Sequence, residues 1–302
     1  MSRFFPITKR IFRWILYIAL ALVAILFIVI ESFDRYVSSE KGTRWWYKDI
    51  PRQDWTIKFT PSGLRYLEIG DAEKQPLLLV HGAPGSVLDW SAVAKRERIY
   101  EKYRLLIVDR PGYGGTKPRG AEKDLRVHAE KILEVLEEET QKAVVMGHSY
   151  GGPIAVIMGA LQPERIAKIV GVSGQYDPDN EVTFRISYLL NFQLFRFLLP
   201  RMLWVSNVEK LSHPDALREI LPLYPKISVP TVLIHGDADT LVPYDNSPFL
   251  MELMDTDKEL VTIADGDHPL QMQAPDMLVD FVLNTEQVPT EAVLEEEGEL
   301  AK

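Results

Sequence analysis

Residues 143–161 read AVVMGHSYGGPIAVIMGAL, and this stretch decides the fold. The apolar run Ala143–Met146 leads through Gly-His-Ser-Tyr-Gly-Gly into a helical pattern, Pro153–Leu161. A strand that turns directly into a helix needs glycine wherever a side chain would collide, hence Gly147 and Gly151. The turn lifts the Ser149 hydroxyl above the end of the sheet. Free N–H groups at the helix start favour negative charge developing there. Ser149 is therefore the candidate nucleophile.

Outward from this stretch, short apolar runs alternate with helical patterns. Strands are predicted at Thr56–Thr60, Leu64–Ile69, Leu77–Val80, Leu105–Val108, Ala143–Met146, Lys168–Val172, Thr231–Ile234 and Leu260–Ile263. Helices are predicted at His128–Glu139, Pro153–Leu161 and Met272–Leu283. The later strands are continuous β-branched or Leu runs, as expected of strands covered by helices on both faces. The order implies an α/β fold with a mainly parallel sheet, and chemistry beyond the carboxyl ends of its strands. The connection from Val172 to Thr231 exceeds a simple crossover. Its excess, about 176–227, contains TFRISYLLNFQLFRFLLPRMLWV and is expected to form an inserted helical cap with an apolar pocket.

A serine nucleophile needs a general base, and the base an orienting acid. The α/β-hydrolases, which this elbow resembles, keep the chain order Ser, acid, His. Three histidines follow Ser149. His213 falls in the cap and His235 ends a strand, whereas His268 lies in the loop ADGDHP between the last strand and last helix. His268 is the expected base. In Gly236-Asp237-Ala238-Asp239, Asp239 is the expected acid and Asp237 a turn-former. Asp177 is a further candidate. The oxyanion hole needs two convergent N–H groups. Tyr150, after the nucleophile, supplies one, and Ala83, in the loop HGAPGS, the other. His81 and His148 are expected to serve hydrogen bonding and packing.

The motifs HGAPGS (81–86), DRPGYGGT (109–116), GHSYGG (147–152), GDADTLVP (236–243) and GDH (266–268) stand in the order of the α/β-hydrolase superfamily, which residues 56–285 resemble. The DRPGYG segment resembles that superfamily's structural turn and is given no catalytic role. Ser at the nucleophile position departs from the epoxide-hydrolase and haloalkane-dehalogenase branches, which carry Asp there. The resemblance implies acyl-type chemistry without a metal or organic cofactor. An acyltransferase, or a non-catalytic binding protein on the same fold, is the alternative.

The flanks have different physics. Trp14–Ile30 is an unbroken apolar run, preceded by Arg3, Lys9, Arg10 and Arg13 and no acid. About 20 apolar residues make a helix about 30 Å long, enough to span a bilayer. Residues 1–30 are therefore expected to be an uncleaved membrane anchor rather than a signal peptide. The basic residues place its N-terminus in the cytoplasm and the catalytic domain on the far side: periplasmic, extracellular or lumenal. Residues 31–55 are expected to be a linker, in which Trp45-Trp46-Tyr47 either packs on the domain or forms an interfacial belt. Residues 286–302 carry six glutamates against Lys302 and are expected to be disordered. The formal charge of −9 over 302 residues argues against a nucleic-acid partner. Zero cysteines excludes a disulfide framework, a Cys nucleophile and a thiolate metal site. The expected partners are a membrane and a small-molecule ester or lipid-like substrate.

Overall fold

A computed structural model describes residues 5–52, 54–192, 199–283 and 291–293. Its centre is one nine-stranded sheet of order β1-β2-β4-β3-β5-β6-β7-β8-β9. The strands are Trp55–Phe59 (β1), Arg65–Ile69 (β2), Gln75–Val80 (β3), Tyr103–Val108 (β4), Ala143–His148 (β5), Ile166–Val172 (β6), Thr231–Gly236 (β7), Lys258–Ala264 (β8) and Glu291–Val293 (β9). The first two pairings, β1 with β2 and β2 with β4, are antiparallel. All the others are parallel. Eight strands fall where the apolar runs predict, with ends moved by one or two residues. β4, β5 and β7 are buried at every position, because helices cover both faces.

The helices are Phe5–Val37 (α1), Glu40–Trp46 (α2), Ser91–Ala94 (α3), Leu125–Leu133 (α4), Gly151–Leu161 (α5), Arg185–Leu190 (α6), Arg201–Ile220 (α7), Asn246–Leu253 (α8), Leu270–Gln273 (α9) and Pro275–Leu283 (α10). Asp124 caps α4 by accepting the Arg126 and Val127 N–H groups, so that helix starts three residues earlier than predicted. It tightens into a 310 turn at Glu134–Leu136. The single helix predicted at Met272–Leu283 is two, because the residue before Pro275 is pushed out of helical geometry.

Two expectations about the flanks need correction. The segment 31–55 is not a bare linker. α1 continues to Val37 and α2 folds back on it, with Phe33 and Trp46 rings 6.4 Å apart. Tyr47 is fully buried, and Trp46 Nε1 donates to Ser91 Oγ at 3.0 Å. The aromatic cluster thus packs on the domain, while Trp45 stays exposed near the base of α1. The tail, expected to be disordered throughout, contains β9, which pairs with Thr262–Ala264. An edge strand offers unpaired backbone groups whatever the partner's side chains are, and acidic composition does not reveal that. Residues 286–290 and 294–302 of the tail, 193–198 between β6 and β7, and 1–4, which are part of the expected anchor, lie outside the described residues.

Lys9–Val37 is one helix long and apolar enough to cross a membrane, with a mean hydropathy of 2.7 and none of its apolar window buried. Its base is tied to the cap. Arg201, the first residue of α7, donates to Asp34 through Nε and Nη2 and to the Gly112 carbonyl, and its N–H donates to Glu31. Between β6 and β7, α6 and α7 form the helical insertion over the carboxyl ends of the strands, in the place predicted for the cap.

Candidate active site

Ser149 lies between β5 and α5 with φ of 54°, a left-handed conformation that costs a non-glycine residue of order 1 kcal/mol. Its N–H donates to the Val172 carbonyl at the end of β6, and its carbonyl accepts from Gly152. The flanking glycines are required by contact. A Cβ at Gly147 would lie 2.2 Å from the Gly151 oxygen, and one at Gly151 would lie 2.4 Å from the Val80 oxygen. Pro153 sits in the first turn of α5, where its missing N–H has no helical partner to lose.

The loops after β7 and β8 carry the other two candidates. His268 Nδ1 donates to Asp239 Oδ2 at 2.7 Å, leaving Nε2 free to take a proton. The other Asp239 oxygen accepts the Leu241 and Val242 N–H groups, each at 2.9 Å. His235 places Nε2 3.4 Å from the same Oδ2. Burial alone would raise the Asp239 pKa. The hydrogen bonds from His235 and His268, with the His268 charge, outweigh it and hold the carboxyl well below the usual carboxylate range.

Asp237 goes elsewhere: its Oδ1 accepts the Asp265 N–H at 2.7 Å and clips the two loops together. A Cβ at Gly236 would lie 2.1 Å from the Gly266 oxygen, so the clip needs glycine there. Asp177 caps its own turn, accepting from Asp179 N–H, and among the described contacts no hydrogen bond joins it to His268. His148 Nε2 donates to the His268 carbonyl at 3.1 Å and supports the base's backbone. Burial and the neighbouring His268 charge pull the His148 pKa down to about 3, so it stays neutral at physiological pH.

Ser149, Tyr150, Ala83 and His268 all line one cavity of about 410 Å³. Among the described contacts no hydrogen bond joins Ser149 to His268. The HGAPGS loop packs directly on the elbow, since a Cβ at Gly82 would lie 3.0 Å from that of Ser149. Phe184, Leu190, Leu199 and Leu203 from the cap, with Leu241, give the cavity an apolar wall. Phe184 is itself largely exposed, as are the cap residues Ile186, Tyr188, Leu189 and Phe192. Among the described residues no cluster of His, Asp and Glu is arranged to hold a metal.

Three residues here had no role in the sequence reading. His235 is held by Ser247 Oγ on Nδ1 and the Val242 carbonyl on Nε2, and backs Asp239. Arg110 and Glu209 form a wholly buried ion pair between the segment after β4 and the cap helix α7. Glu209 did leave a signal. It stands four residues from both Val205 and His213, on the stripe of α7 that is buried.

The chain resembles known proteins over most of its length. It is 22% identical over 249 residues to the dihydrolipoyllysine-residue acetyltransferase component of the acetoin cleaving system of Pseudomonas putida, covering 71% of this chain and 64% of that one. It is 23% identical over 284 residues to epoxide hydrolase 4 of Mus musculus, covering 74% and 76%. The first of these relatives thus extends well beyond the length this chain spans. A solved bacterial membrane phospholipase A superposes with a TM-score of 0.62 at 19% identity, covering 90% of this chain and 97% of that one. The sequence pattern of the alpha/beta hydrolase family matches residues 77–281. Elbow, topology and family pattern agree: the chain belongs to the alpha/beta hydrolase family.

Proposed function

We propose that this hydrolase is a membrane-anchored serine esterase that cleaves an apolar small-molecule or lipid-like ester through an acyl-enzyme. The carrying observation is the 2.7 Å His268–Asp239 hydrogen bond at a cavity whose wall includes Ser149 on its strained elbow. In this reading His268 Nε2 takes the Ser149 proton as Oγ attacks the ester carbonyl. The tetrahedral oxyanion is held by the N–H groups of Ala83 and Tyr150. The alcohol leaves with the proton from His268. Water, deprotonated by the same imidazole, then releases the acid. Asp239 fixes the imidazole tautomer and stabilises its cation. No step calls on a metal or organic cofactor.

The apolar cavity wall and the apolar α1 support an apolar acyl group and a membrane location. The basic residues ahead of the apolar run support a cytoplasmic N-terminus with the catalytic domain on the far side. A second reading is acyl transfer to an alcohol in place of water; one relative carries an acetyltransferase name. The purified chain, given p-nitrophenyl acetate and p-nitrophenyl decanoate, is expected to cleave both and to favour the decanoate. Ser149→Ala is expected to lose about 10⁴-fold or more of kcat. Activity that survives this substitution contradicts the reading. Preference for the acetate contradicts the apolar acyl group, and ester formed on added alcohol in place of free acid favours transfer.

A further inference from the structure

We propose that Glu209 of the cap is a positioning residue for the oxyanion hole. It holds Arg110, and Arg110 orients the peptide that carries the Ala83 N–H. The inference rests on the reading above that Ala83 is one of the two oxyanion donors.

The geometry is specific. Arg110 Nη2 donates to the Gly82 carbonyl at 2.9 Å, and Nε donates to the His81 carbonyl at 2.9 Å. His81 Nε2 accepts the Arg110 N–H at 3.0 Å, so its proton is on Nδ1, which donates to the same Gly82 carbonyl at 2.7 Å. Two donors thus fix one carbonyl. In a planar trans peptide the C=O of Gly82 and the N–H of Ala83 point in opposite directions. Holding the oxygen down towards Arg110 therefore aims the Ala83 N–H the other way. The loop lies in contact with the nucleophile, as the 3.0 Å approach of a Gly82 Cβ to Ser149 shows. The cation beneath the carbonyl also polarises the peptide, making its N–H a stronger donor.

The other donor is tied to the same group. The Arg110 guanidinium lies 4.5 Å from the Tyr150 ring centroid and 4.8 Å from that of Tyr113. Arg110 is in turn set by the cap. Nη1 and Nη2 bond the two Glu209 oxygens, each at 3.0 Å, in a bidentate pair. Tyr113 OH donates to Glu209 at 2.7 Å, and His128 lies 3.4 Å from its other oxygen. All of these side chains are buried. Glu209 sits midway along α7, ninety-nine residues from Arg110 in the chain. Nothing about cap packing alone requires a buried charge here. An apolar pair of similar volume is usually as stable as a buried ion pair. The charge is explained if its task is to aim a peptide.

The test uses the full chain and a fluorophosphonate probe, which phosphonylates an active serine, with fluoride leaving, and places its phosphoryl oxygen in the same oxyanion site. Glu209→Gln is expected to slow probe labelling and lower kcat for p-nitrophenyl esters by roughly 10- to 100-fold, with KM within about twofold. The discriminating variant is Arg110→Met/Glu209→Met, which leaves no unpaired buried charge. It is expected to keep a thermal midpoint close to the native one and yet remain slow by the same factor. Tyr113→Phe, which removes one bond to Glu209 and no charge, is expected to show a milder loss of roughly two- to fivefold. A double variant that labels at the native rate overturns the proposal, because the pair then serves the fold alone. A native chain that never labels at Ser149 overturns both this proposal and the esterase reading.

Discussion

Two carboxylates in this molecule are held far below the usual carboxylate range, and they are held for different ends. Asp239 faces a titratable partner at the cavity, with backbone N–H groups on its second oxygen. Glu209 faces a permanent cation, and every partner it has is buried. Burial would raise its pKa, but the Arg110 charge and the His128 bond hold it at about 2. In the proposed mechanism the first carboxylate stabilises a charge that appears and disappears during turnover. The second stabilises a charge that never changes. The difference teaches that a depressed carboxylate marks a proton-transfer site only when its partner can gain and lose a proton.

The largest expected separation between the two is catalytic. Asp239→Asn is expected to lower kcat about 10³- to 10⁴-fold while leaving the thermal midpoint within a few degrees, as read by steady-state kinetics and calorimetry. A loss of less than tenfold would move the acid to another residue. Glu209→Leu is expected to do the converse in stability. Leaving Arg110 buried without its partner costs about 3–5 kcal/mol, measurable as a lower denaturant midpoint. An unchanged midpoint would mean that water or another group takes over the guanidinium.

The acid limb of stability gives a smaller effect. A carboxyl whose folded pKa is depressed stabilises the fold fully above its unfolded value, about 4.3, and loses that contribution as pH falls through the folded one. The native chain is therefore expected to lose stability between roughly pH 5 and pH 2. Arg110→Met/Glu209→Met is expected to lose less over the same range, checked by denaturant melts at stepped pH. Parallel curves would remove Glu209 from the account. The smallest effect is expected at Asp237→Asn. It weakens the clip to Asp265 and lowers kcat less than about tenfold, since a single neutral bond remains possible.

Much of this was legible in the sequence because the relevant signals are local. The eight predicted strands are short apolar runs bounded by turn residues, and Gly147 and Gly151 announce a turn that only glycine permits. Asp239 and His268 sit at strand ends, where a parallel sheet exposes its loops, and they meet at 2.7 Å. The break before Pro275 was missed by the helical pattern of 272–283, although the proline itself marks it. The Arg110–Glu209 pair was not, because no pattern in α7 says which distant strand end its buried carboxylate will meet. β9 was invisible for another reason: its pairing uses backbone groups that every sequence carries. The fold of 31–55 onto the domain was half-legible, in its aromatic cluster, but the ring contacts depend on α2 doubling back.

The central claim is that Ser149 carries the acyl group. The direct measurement is peptide mapping by mass spectrometry after the full chain has been treated with a fluorophosphonate. The account predicts one adduct, on the peptide containing Ser149, abolished by Ser149→Ala and slowed at least 100-fold by replacing His268 with Ala. An adduct on another residue, or equal labelling without His268, would contradict it.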